Sequence, residues 1–90
     1  MVEFHVGQVV ISKQGRDRGK HYLIAKTGDE CCALVDGGKR TFARPKSKNY
    51  KHLQGTLIDS GELGVKMAGD NPPQDSDVRG FLKRLSREMS

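Results

Sequence analysis

Between Gly7 and Thr56 every apolar run is short, and each is closed by glycine, proline or a cluster of charge. That punctuation constrains the fold more than any other feature, because such segments reach strand length but not the ten or so residues of an ordinary helix. Val6, Val9, Val10 and Ile11 read as a first strand opened by Gly7, and His21–Lys26 as a second of aromatic and β-branched character. Cys31–Val35 is apolar on both faces, as a strand inside a closed sheet should be. Asp36-Gly37-Gly38 is a tight-turn signal leading into a fourth strand over Lys39–Ala43, which Pro45 ends because proline cannot donate to a ladder. The polar, cationic segment Arg44–Lys51 then reads as a loop. Leu53–Ile58 is the fifth strand, with a bulge or corner at Gly55. The expected fold is therefore mainly β: a small five-stranded antiparallel barrel over residues 1–58.

From Asp59 to Asp75 the pattern fades, and Gly61, Gly64, Gly69, Pro72 and Pro73 interrupt a stretch that also holds Glu62 and Asp70. Residues 59–75 are expected to be an acidic loop or tether. The period then changes. Val78, Phe81, Leu82, Leu85 and Met89 make one stripe of a short C-terminal α-helix over residues 76–89, capped by Asp75 or Ser76. A helix of this length is marginal alone, so it must dock on the barrel, dock on a partner, or fray.

Ninety residues suffice for one small domain, with no room for a deep substrate cavity beside its core. Net charge is +5, unevenly spread. Residues 1–55 hold eleven Lys and Arg against five acids, residues 56–77 one lysine against five acids, and residues 78–90 return to +3. Such asymmetry points to a polyanionic partner, most simply nucleic acid. No secretory signal or membrane-spanning run is visible. Cys31 and Cys32 are adjacent, point to opposite faces of a strand and cannot staple distant segments, which fits a reducing cytoplasm.

Two cationic constellations stand out. The first is the loop Lys13-Gln14-Gly15-Arg16-Asp17-Arg18-Gly19-Lys20, followed by His21. Its glycines let backbone approach a ligand, and its guanidinium groups suit phosphate oxygens. It lacks the glycine spacing and the Gly-Lys-Ser/Thr of a Walker loop. The second comprises Lys39, Arg40, Arg44, Lys46, Lys48 and Lys51, with Phe42 expected in the core and Tyr50 free to stack on an unpaired base.

Several blocks here resemble the KOW family: Gly7 and Val9-Val10-Ile11, then Gly15-Arg16-Asp17 and Gly19-Lys20, then Val35-Asp36-Gly37, and finally Lys51-His52-Leu53. More closely, the chain looks like the KOW domains of archaeal and eukaryotic large-subunit ribosomal proteins and their stand-alone bacterial relatives, over about residues 5–56. Tyr22 departs from the pattern, standing where many such motifs have a small residue. The resemblance implies an SH3-like barrel that binds RNA, usually ribosomal RNA, with ribosomal proteins as neighbours and no catalysis.

His5, His21, His52, Cys31 and Cys32 have no zinc-ligand spacing, so no metal or cofactor is expected. The acids cluster in the stretch least suited to rigid chemistry, and Ser60 and Ser76 have no evident base nearby, so no enzyme is expected. The leading expectation is a monomeric cytoplasmic RNA-binding module that reads backbone and shape. The rival is a protein-interaction adaptor that uses the barrel or lays the helical stripe in a partner's groove.

Overall fold

Alternating apolar residues place two sets of side chains on the two faces of one sheet, and both faces are covered. The computed structural model describes residues 3–69 and 73–89; Asp70 and Pro72 of the acidic segment lie outside the described residues, as does the side chain of Met89. Strands β1 (Gln8–Ser12), β2 (His21–Thr27), β3 (Cys31–Val35), β4 (Lys46–Asn49) and β5 (Leu53–Asp59) form one antiparallel sheet ordered β4-β3-β2-β1-β5. A 3₁₀ turn over Tyr50–His52 joins β4 to β5, and helices α1 (Glu62–Ala68) and α2 (Asp75–Met89) follow.

Register sorts the core. Val10 lies opposite Tyr22 and Ile24 opposite Leu34; with Cys32 and Leu53 they form one buried cluster, against which Phe4 and Tyr50 pack. Val9 lies opposite Leu23 and Leu23 opposite Val35 on the other face. There they meet Val78 of α2, with Leu63 and Met67 of α1 and Phe81, Leu82 and Leu85 of α2 packed around them. The stripe of α2 thus lies on the chain's own sheet. Full burial of a side chain such as Val78 contributes roughly 1.5 kcal/mol or more. The helix start is tied locally: Gln74 N donates to Asp77 Oδ2 at 3.0 Å and Asp77 N to Gln74 O at 3.0 Å, a reciprocal pair like a capping box.

Three expectations need correction. The sheet is open, since no ladder between edge strands β4 and β5 joins its ends among the described residues. The fourth strand lies at Lys46–Asn49 rather than Lys39–Ala43, pairing Cys31 with Asn49 and Leu34 with Lys46. The Asp36-Gly37-Gly38 turn closes on itself instead of opening a hairpin: Asp36 N and Gly37 N donate to Arg40 O, and the Asp36 carboxylate accepts from Gly38 N and Arg40 N. Phe42 N donates to Asp75, so no strand partner takes it. The third correction is α1, a helix inside the expected tether. Seven residues would not hold a helix alone, but Leu63 and Met67 dock on the sheet. Gly64 also packs against Gly7 so closely that a Cβ on Gly7 would sit 2.5 Å from the Gly64 Cα.

The bulge expected near Gly55 is present: β5 pairs Gly55 with Val10 but Asp59 with Gln8, and residues 56–58 bow out between them. Cys31 is exposed and Cys32 buried, neither in a disulfide. Burial, and then the neighbouring Cys31, push the Cys32 thiol up to about 11.

Candidate nucleic-acid interface

The loop 13–20 between β1 and β2 is closed by its own backbone. Gly19 N donates to Ser12 O at 2.8 Å, Ser12 N to Lys20 O at 3.0 Å, and Lys20 N to Asp17 O at 2.9 Å. Gly15 and Gly19 make the reversals with φ of 89° and 87°, values that L side chains rarely adopt. The centre of the loop is an acid. Asp17 Oδ1 accepts from the Ser12 hydroxyl at 2.9 Å and Lys48 Nζ at 2.9 Å, while Oδ2 accepts from the Tyr22 hydroxyl at 3.0 Å and Lys46 Nζ at 3.1 Å. Burial alone would raise its pKa, but donation from Lys48, Lys46, Ser12 and Tyr22 outweighs burial and holds the carboxyl far below the usual carboxylate range. Burial, and then the same pairing with Asp17, push the Tyr22 phenol well above its ordinary value.

Asp17 therefore joins the first loop to β4, and Lys39 and Arg40 of the second loop, residues 36–45, line the same cleft. Arg16, Lys20, Lys39, Arg40 and Lys46 line one cleft of about 340 Å³, with Asp17 and Tyr22 in its wall. Lys20 Nζ sits 3.0 Å from Asp36 Oδ2 and 5.6 Å from the centre of the Tyr22 ring. Burial would raise the pKa of Asp36, yet the backbone amides of Arg40 and Gly38, together with Lys20, lower it. The cleft thus brings together cations from three separate stretches of chain, of which Lys46 is paired with Asp17 and Lys20 with Asp36.

The other expected contact residues fall elsewhere. Lys13 and Arg18 line a second hollow of about 450 Å³ with Ile11, Ser12, Gly19 and Gln54. Arg44 and Lys51 are exposed and line neither hollow. His21 is turned away from the cleft, because strand alternation sends it to the face opposite Tyr22; its Nε2 is buried without a hydrogen-bond partner among the described residues. Lys48 is a structural lysine. Its side chain is only 10% exposed, and its Nζ donates to Ser12 Oγ at 2.6 Å, Gln14 O at 2.8 Å and Asp17 Oδ1 at 2.9 Å. An ammonium has three protons to give, so none remains for a phosphate. Tyr50 is likewise engaged. Its ring stacks on Phe4 with centroids 4.8 Å apart, and its hydroxyl donates to Gly28 O at 2.8 Å and accepts from Gly28 N at 3.2 Å.

Sequence reasoning missed Asp17 and Asp36, the acids that organise the site. The signal was present in their neighbourhood: a single acid inside a run of cations is a natural hub for them. Among the described residues, no group of three or more His, Cys, Asp or Glu is placed to hold a metal ion, and no helix is long and apolar enough to cross a membrane. No protein-family model matches the chain, and no curated protein matches it.

Proposed function

We propose that the protein binds RNA through this cleft, as an SH3-like domain of the KOW kind associated with ribosomal RNA or the translation apparatus in the cytoplasm. The observation that carries the reading is the meeting of Arg16 and Lys20 from one loop with Lys39 and Arg40 from another, and with Lys46 of β4. Lys20 and Lys46 each keep an ion pair, with Asp36 and Asp17, so Arg16, Lys39 and Arg40 are the cations that best suit successive phosphates of a backbone. The aromatic in the wall, Tyr22, has its hydroxyl committed to Asp17, which leaves little to read base edges. Recognition is then of backbone and shape.

Titration of a structured RNA at two salt concentrations tests this. Replacing Arg16, Lys39 and Arg40 by alanine together should weaken binding and reduce the salt slope by roughly one for each phosphate that is no longer neutralised. Unchanged binding by that folded variant overturns the reading.

The adaptor reading keeps one observation in its favour: Leu57 on edge strand β5 is 92% exposed and Val65 on α1 is 75% exposed. It no longer has the helical stripe, which packs on the chain's own sheet. Leu57→Ser would remove an adaptor contact and leave RNA affinity intact.

A further inference from the structure

We infer that α2 is a clamp that sets the geometry of the cleft, with Asp75 and Arg79 as its positioning residues. The inference rests on the RNA-binding reading above and concerns how that site is held.

The loop 36–45 has no regular secondary structure, yet it presents Lys39 and Arg40 to the cleft. The Asp36 turn fixes the backbone of residues 36–40 locally. A turn with no further anchor would still swing as a unit, and binding would have to order it at an entropic cost. Two contacts from α2 remove that freedom. Asp75 Oδ1 accepts from Phe42 N at 2.9 Å, and Arg79 Nη1 donates to Gly37 O at 3.0 Å. The residues so fixed stand on either side of Lys39 and Arg40. Gly37 fits under the helix only because it lacks a side chain: a Cβ there would lie 2.3 Å from Asp75 O and 2.5 Å from Arg79 N.

The division of labour at the helix start supports the same conclusion. Asp77 serves its own helix by accepting from Gln74 N. Asp75, at the first position of α2, reaches across to the loop instead. An acid beside a polyanion site is unfavourable by simple Coulomb repulsion. A positioning role accounts for it, because the carboxylate is an acceptor for a loop amide that has no strand partner.

The test compares Asp75→Ala with Asp75→Asn in the full chain, using a fluorescently labelled RNA stem–loop and amide exchange at Phe42. Alanine removes the acceptor, whereas asparagine keeps an oxygen there and gives up only the charge. Asp75→Ala should weaken RNA binding about fivefold, the equivalent of one missing hydrogen bond, and speed exchange at Phe42. Asp75→Asn should stay near wild type in both. If both variants bind more tightly, Asp75 acts only as a repelling charge and the clamp is overturned. Lys39→Ala/Arg40→Ala serves as the control for the parent reading. Weak binding by that control alongside wild-type binding by Asp75→Ala overturns the clamp and leaves the cleft standing. Wild-type binding by the control overturns the cleft itself. Should Asp75→Ala fail to fold, Arg79→Lys keeps the charge and gives up the guanidinium reach to Gly37 O. It is expected to bind less tightly, and unchanged affinity in that folded variant counts as failure of the clamp.

Discussion

The two loops that line the cleft are held by opposite strategies. Loop 13–20 carries its own anchor: Asp17 ties it to Ser12 and Tyr22 nearby and to the lysines of β4. Loop 36–45 has a local turn around Asp36, to which α2 adds ties at Gly37 and Phe42 from residues over thirty positions later in the chain. The first loop is rigid by charge pairing at close quarters, the second by the docking of a distant apolar stripe. A cationic surface is therefore built from one segment that its own carboxylate pins to a neighbouring strand and another that is pinned by a helix docked beside it.

The largest expected effect lies at the first anchor. Asp17→Ala leaves Lys48 and Lys46 without their carboxylate, Lys48 being nearly buried, and should cost about 3 kcal/mol in urea unfolding. Equal stability would show that the first loop does not depend on its acid. The same group has a pH signature. The folded-state pKa of Asp17 lies below its unfolded value, so its contribution is full above the unfolded value of about 3.9 and is lost as pH falls from there through the folded one. The stability advantage of wild type over Asp17→Asn should accordingly shrink on acidification below about pH 4, and an advantage that grows instead contradicts the pairing.

Next in size comes Gly37→Ala. The added Cβ meets backbone of α2, and the residue holds φ of 80°, so a loss of about 2 kcal/mol is expected. Amide exchange should quicken in loop 36–45 and stay slow in loop 13–20; equal loosening of both would erase the contrast between them. Gly80→Ala runs the other way. A Cβ there meets nothing within 4 Å, so the variant should gain up to about 1 kcal/mol of helix stability and protect the second loop alone. The smallest change is expected for Arg16→Ala, an exposed side chain, with stability within about 0.5 kcal/mol of wild type. A larger loss there would mean that the cleft cations also hold the fold.

Much of the sheet was legible because its strands obey a local rule. Val9, Val10, Leu23, Ile24, Leu34 and Val35 are apolar and short-spaced, and tertiary burial follows directly from that. The helical stripe Val78-Phe81-Leu82-Leu85 was legible for the same reason, with period 3.6 replacing period 2. Strand β4 was not. Lys46-Ser47-Lys48-Asn49 has no apolar residue, and it becomes a strand because β3 offers an unpaired edge and Asp17 offers its lysines a partner. Helix α1 was hidden because its docking residues, Leu63 and Met67, are two positions in an acidic, glycine-marked stretch. The cations of the site could be named individually, but charge alone does not distinguish Lys48, which is saturated inside the protein, from Lys39, which is exposed at the cleft.

By itself the amino-acid order determined that this chain makes short strands followed by an amphipathic helix, and that its positive charge lies on either side of an acidic stretch. These are properties of neighbouring residues, set by side-chain period and turn chemistry. Only the tertiary structure decided which cations face outward together, because that depends on carboxylates and helix contacts that the chain brings into range from far along its length.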